Sequence, residues 1–250
     1  MFKNYLKVAI RSIRKNKLYA GLNILGLSVG LASFFIIYLF IQNELAYDQF
    51  HEKKDRIYRI IDTQTRKDII VKKGSMTNAF APLAAVRIPE IEAFSRVMSR
   101  PLMLRVEGAE APTEPSEGFT VDQGFLEMFS LDFVRGNAEG VLDAPVSILL
   151  NESKALGFFG SSDVIGKTMG DGRTDYLVSG VYRDLPNTSS IKGDFIIVRK
   201  DEATFGGHAL WHINLNAQSY FLLKNGTQAS EVERKLNEVY AENRKLAGHN

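Results

Sequence analysis

ILGLSVGLASFFIIYLFI, Ile24 to Ile41, sits inside an uncharged stretch that runs from Leu18 to Asn43. Gly26-Leu27-Ser28-Val29-Gly30 within it satisfies two patterns at once. As G-x-S-x-G it is a nucleophile elbow, the strand-to-helix turn that raises a serine at the top of a soluble sheet. As G-x-x-x-G it is a packing face on a membrane-spanning helix. Length decides between them. A bilayer core takes about 20 apolar residues as a helix, and Leu18 to Ile41 supplies them. A soluble helix of this length, uncharged on every face, would be unusual. Residues 18–43 are therefore read as a transmembrane helix. Ser28 then lies inside a helix, where its hydroxyl can bond back to a carbonyl of the preceding turn. Gly26, Gly30 and Ser33 stand at i, i+4 and i+7, a small-residue face that another helix can approach closely.

The flanks give a direction. Lys3, Lys7, Arg11, Arg14, Lys15 and Lys17 precede the run with no acid among them, while Glu44 and Asp48 follow it. The positive-inside rule puts the N-terminus in the cytoplasm and the chain after the helix outside. The apolar run exceeds the h-region of a signal peptide, about 7–15 residues, and no A-x-A site follows, so a retained anchor is expected. Phe2, Leu6, Ala9, Ile10 and Ile13 recur at helical spacing opposite the basic side chains. Residues 1–17 therefore read either as an amphipathic helix on the lipid of the inner membrane surface or as a basic flank that sets topology.

The net charge of +2 conceals this asymmetry: without the six basic residues of the head, the remaining 25 face 29 acids, a net −4. A nucleic-acid-binding protein would carry its basic stripe on the folded body. There is no cysteine, which excludes disulfides, thiolate metal sites and a cysteine nucleophile. An apolar fraction of 45% and a mean hydropathy of −0.11 suit a folded chain.

The body after Glu44 mixes α and β patterns. Strand-like runs are 56–61, 68–71, 146–150, 176–182, 194–198 and 219–223. Helices are expected at 79–86, with Pro82 in the first turn and Pro89 beyond the end, and at 152–159, with Asn151 as N-cap and Gly160 as the stop. The last helix is announced by the capping box Ser230-Glu231-Val232-Glu233, and Val232, Leu236, Val239 and Tyr240 form one stripe to lie on a sheet. Gly108 to Gly118, with Pro112 and Pro115, is the most loop-like region and a candidate boundary; Pro186 to Ser190 is a second loop.

Sites of chemistry are scarce. Gly160 to Thr168, GSSDVIGKT, resembles a phosphate-binding loop, but five residues separate its glycines where the motif has four, and it lacks the strand-then-helix context. It reads as a structural turn. His208 and His212 stand at i, i+4 without an acidic third ligand nearby, and Trp211 between them reads as a packing anchor. His51 and His249 have no neighbouring partner in sequence. Glu90 with Glu92, and Asp171 with Asp175, are acid pairs of the kind common on solvated surfaces. The sequons at Asn151, Asn187 and Asn225 matter only in a eukaryotic secretory host. No catalytic, cofactor or metal constellation stands out.

NYLKVAIRSIRKNKLYAGLNILGLSVGLA followed by ELAYDQFHEKKDRIYRI resembles the N-terminus of MacB/FtsX-type ABC transporter permeases, in their Bacteroidetes-like branch. The likeness continues through IPEIEAFSRV, GFTVDQGFLEMFSLDFVRGN, SILLNESKALGFFGSSDVIGKTM and YLVSGVYRDLPNTSSIKGDF, and so covers essentially the whole chain. The resemblance implies an α+β fold: one N-terminal transmembrane helix, then a two-lobed periplasmic core domain over 44–250. A porter-like α+β lobe (46–110 and 212–250) would carry an inserted, mainly β lobe (111–211). Such permeases continue with three more membrane helices, so the chain is expected to be an N-terminal fragment.

The implied function is a non-catalytic permease subunit of an export or mechanotransmission complex in the bacterial inner membrane. Its expected partners are a separate cytoplasmic ABC ATPase, further membrane helices or a second permease copy at the Gly26/Gly30/Ser33 face, membrane lipid and a periplasmic protein. The resemblance implies no cofactor, metal or nucleic acid. Two other readings remain: a membrane-tethered periplasmic binding or sensor module without an ATPase, and an anchored hydrolase that rests on Ser28 alone.

Overall fold

The computed structural model describes residues 2–66, 69–108, 114–144, 146–200 and 217–246. The chain divides into two compact units, with the division between Tyr47 and Asp48. The first holds two helices, α1 (Phe2–Lys15) and α2 (Lys17–Leu45). Asn16, at φ −116° and ψ 56°, separates them, although its carbonyl still accepts the Ala20 amide at 3.0 Å. The 29 residues of α2 span about 43 Å at 1.5 Å per residue, more than the ~30 Å of a bilayer core. Its best window has a mean hydropathy of 2.4, and no residue of it is buried in the chain. A helix apolar on every side has no face to offer water, so lipid or other helices are its natural surroundings.

The second unit is built on strands β1 (Ile57–Arg59), β2 (Asp62–Arg66), β3 (Ile69–Lys73), β4 (Ile91–Ser99), β5 (Leu102–Val106), β6 (Glu114–Ser116), β7 (Gly118–Asp122), β8 (Phe133–Arg135), β9 (Val146–Asn151), β10 (Thr168–Gly170), β11 (Asp175–Tyr182), β12 (Phe195–Arg199) and β13 (Ala217–Leu223). Its helices are α3 (Phe80–Arg87), α4 (Phe125–Met128), α5 (Ala138–Val141), α6 (Glu152–Phe159) and α7 (Ala229–Leu246). Among the described residues, eleven strands form one mixed sheet in the order β1-β13-β4-β7-β12-β9-β11-β10-β5-β6, with β8 also on β11; β2 and β3 pair separately.

Register assigns the cores. Phe94 faces Phe221, Arg96 faces Ser219, and Ile197 lies between Thr120 and Ile148, so these side chains share one face. At one end of that face α3 and α7 cover the sheet, packing Phe80, Ala84, Val232 and Val239 onto Phe221 and Leu223. Toward the other end, Ala155 of α6 joins Leu104, Ile148, Val178 and Ile197. The opposite face carries Val97, Val121, Leu149 and Ile196, closed by Phe125 and Phe129. Each fully buried Phe, Ile or Leu contributes about 1.5–3 kcal/mol.

The expected local signals are met closely at α6. The Asn151 side chain accepts the Lys154 amide at 2.8 Å, and Gly160 ends the helix at φ 69°. Helix α7 begins at Ala229, so Ser230 lies in its first turn instead of capping it; the Gln228 carbonyl accepts the Glu231 and Val232 amides. Its stripe docks as expected, with the Tyr240 ring edge-on to Phe80 at 5.6 Å. The loop expected over 108–118 contains β6, where Pro115 pairs with Met103. A proline lacks the amide for a second ladder, so it is tolerated on this edge strand. Strand β4, absent from the sequence reading, is central. The sheet also runs through both expected lobes: β4 pairs with β7 across their boundary, and β5 lies with β10 and β6.

Candidate functional site

Gly26, Gly30 and Ser33 are all on α2 and all exposed. A Cβ built on Gly26 or Gly30 meets nothing within 4 Å, so the small-residue face is open in this chain. The helical backbone there removes the strand-to-helix turn that a Ser28 nucleophile requires.

Directly after the helix, residues 48–52 are strapped to the body. Asp48 adopts a left-handed φ of 56°, which Asp tolerates better than most residues. Its amide donates to the Thr188 carbonyl at 2.9 Å, and its Oδ1 accepts the Ser190 amide at 2.9 Å. The Ser130 amide donates to His51 Nδ1 at 3.1 Å, and the Glu52 amide to Ser130 Oγ at 3.0 Å. The His51 side chain is 4% exposed, with its ring 4.0 Å from that of Phe50 and 5.1 Å from that of Phe129. Nε2 is buried without a hydrogen-bond partner; Asp48 Oδ1 is 3.9 Å away. Burial holds the imidazole below its ordinary pKa, against the opposing pull of the Asp48 carboxylate.

A second polar group lies where β4 meets β7. Arg96, 2% exposed, grips Asp122 in a fork: Nε to Oδ2 at 2.9 Å and Nη2 to Oδ1 at 2.7 Å. The Arg96 amide adds a third bond to Oδ2 at 2.7 Å, and Nη1 reaches the Asn78 carbonyl at 3.0 Å. Near this ion pair, Thr120 and Ser219 are buried side chains on the same face. The two helix-covered cores are thus separated by a polar seam.

The other candidates are committed to structure. Glu90 is tied to Lys235, which holds its carboxyl below the ordinary value, and Glu92 pairs with Arg56 at 2.6 Å. Asp171 accepts the Arg173 and Thr174 amides at 2.9 and 2.8 Å in a turn; Asp175 is exposed. In the phosphate-loop lookalike, Gly160 is a helix stop and Gly166, at φ 84°, is a turn; the Lys167 ammonium rests 5.0 Å from the Phe159 ring centre. His208, Trp211, His212 and His249 lie outside the described residues. Among the described residues no three His, Asp or Glu side chains converge as a metal site requires. A groove of about 530 Å³ runs between α7 and the β1–β2 region, lined by Tyr58, Arg59, Phe80, Leu236 and Tyr240 among others.

A family model for the MacB-like periplasmic core domain matches residues 20–239. The chain belongs to this family. MacB-like core domains are non-catalytic parts of ABC-type transporter permeases. A search of curated proteins gives no match. Among solved structures, a domain described as that of a permease protein from Porphyromonas gingivalis is 21% identical, with a TM-score of 0.63 over 78% of this chain and 84% of that one. The extracellular domain of the noncanonic ABC-type transporter YknZ from Gram-positive bacteria is 11% identical, with a TM-score of 0.51 over 76% and 95%. The periplasmic region of MacB from Actinobacillus actinomycetemcomitans gives 14% identity and a TM-score of 0.49 over 69% and 75%. The first two share the fold of the MacB-like body.

The strap and the buried Arg96 were missed by sequence reasoning. His51 has no hydrogen-bond partner near it in sequence because Ser130 is 79 residues on, and nothing near Arg96 in sequence announces Asp122, 26 residues on.

Proposed function

We propose that this chain is a non-catalytic permease subunit of an ABC-type export or mechanotransmission complex. A separate cytoplasmic ATPase hydrolyses ATP, the membrane helices shift, and the periplasmic body moves. The observation that carries this reading is the junction of its parts: a MacB-like body joined, within a few residues, to a helix long enough to cross a bilayer. In this reading α1 lies on anionic lipid at the cytoplasmic surface, its basic residues toward the headgroups. Gly26, Gly30 and Ser33 receive another membrane helix or a second copy. The body works as two lobes that meet at the β4–β7 seam, with β5 in the second lobe because it pairs with β6 and β10.

Purification from native membranes tests the reading: an ABC ATPase should copurify, and ATP should change distances between labels in the two lobes. No ATPase partner in a preparation with an intact cytoplasmic side would sink it. Because the chain has no cysteine, Ser12→Cys and Ser190→Cys report topology without background. A membrane-impermeant maleimide should mark position 190 from outside and position 12 only after permeabilisation. The groove beside α7 favours the second reading, a tethered binding or sensor module, in which a bound ligand and not an ATPase would move the body.

A further inference from the structure

The strap at residues 48–52 contains a titratable group whose uncharged state is written into the geometry. His51 Nδ1 accepts the Ser130 amide, so in the fastened state it carries no proton, and the single proton of the neutral ring is on Nε2. A second proton can go only to Nδ1. There it would set an N–H donor against the Ser130 N–H donor and cancel the bond. We propose that His51 is a proton-released pin: neutral, it holds the segment after the membrane helix on the body, and charged, it lets that segment go.

The surroundings give the direction. From the pin's own segment Asp48, 3.9 Å from Nε2, favours the imidazolium; Glu52 and Lys53 line the adjoining hollow. Glu127 of α4 lines the same hollow, and the Tyr220 phenol of β13 is beyond Phe129, whose ring it meets edge-on. The 188–190 loop contributes only a carbonyl, an amide and hydroxyls. Against the pull of Asp48 stand the loss of hydration in a pocket between two phenylalanines and the loss of the Nδ1 bond. Burial is the larger influence, so the ring resists protonation while fastened. Freed, it regains the ordinary value of 6.5. The fastened state is therefore fully favoured above that pH, weakens as pH falls below it, and levels off once the fastened ring is itself charged.

The inference concerns this chain alone and stands apart from ATPase coupling. If the permease reading also holds, acid outside the membrane would loosen the body from the helix that drives it.

Hydrogen exchange of the full chain in detergent micelles, read by mass spectrometry at about pH 7.5 and about pH 5.5 with intrinsic rates corrected, tests the pin. Protection over 48–52 and at Ser130 should fall by up to about tenfold per pH unit below 6.5. Strands β9 and β12 should keep theirs. In His51→Gln, whose amide oxygen accepts the Ser130 bond at any pH, the dependence should vanish. Unchanged protection of the strap in the wild type, or an equal loss in β9 and β12, would overturn the proposal. If the variant does not fold, NMR titration of the wild-type His51 ring decides. Titration below 6.5, in step with the exchange, upholds the pin, and a value at or above 6.5 refutes it.

Discussion

Replacing Asp122 by Asn probes the seam between β4 and β7. The side chain keeps its shape, but it loses its charge and one acceptor oxygen becomes a donor. Asp122 takes three bonds from Arg96, and Arg96 is 2% exposed, so the substitution takes the Asp122 charge away from a buried guanidinium. Breaking a buried ion pair from one side costs about 3–5 kcal/mol. The Asp122 side chain keeps 11% exposure, which admits some water and places the expected cost near the lower end, about 3 kcal/mol. With a urea slope of about 2 kcal/mol per molar, the midpoint should fall by about 1.5 M. The assay is a urea titration of the full chain in mild detergent, followed by the far-ultraviolet signal of the sheet. The double variant Arg96→Met with Asp122→Leu separates charge from packing. It removes both charges at the cost of the bonds that the residue-96 amide and the Asn78 carbonyl make here, and with no charge left buried at the pair it should still be more stable than Asp122→Asn alone. A midpoint for Asp122→Asn within about 0.3 M of wild type, or a double variant weaker than the single one, would refute the reasoning.

Gly124→Ala should destabilise the body by about 2 kcal/mol or more in the same titration, because the new Cβ would sit 2.2 Å from the Phe94 carbonyl oxygen. Gly157→Ala, in the middle of α6 with nothing within 4 Å, should instead stabilise by about 0.5–1 kcal/mol. Asn151→Ala removes the cap of α6 and should cost about 1 kcal/mol, with Asn151→Asp close to neutral. Asp48→Asn retains an acceptor for Ser190 but removes the charge that favours a protonated His51, so NMR should find the ring titrating at lower pH than in the wild type. Gly30→Leu should lower self-association or partner capture in a membrane two-hybrid assay, while Leu31→Ala, off the small-residue face, should not.

What the sequence alone determined is local. The helix α2 was legible because spanning a bilayer is a matter of length and absence of charge, and both are properties of one continuous run. For the same reason length overruled the nucleophile reading of Gly26 to Gly30. Helix α6 was legible from an asparagine before it and a glycine after it, and the face of α7 from the spacing of Val232, Leu236 and Val239, even though the helix begins two residues earlier than its capping box implies. The tertiary structure decided whatever depends on distant partners. Strand β4 escaped notice because Arg96 interrupts its apolar pattern, and only Asp122, 26 residues further on, makes that arginine a core residue. Pro115 looked like a loop residue until an edge position made its missing amide harmless. His51 has no partner near it in sequence, and only the fold brings Ser130 to bond its ring and Phe129 to wall it. A polar side chain announces its chemistry in the sequence, but its burial and its protonation state are set by the groups that folding brings against it.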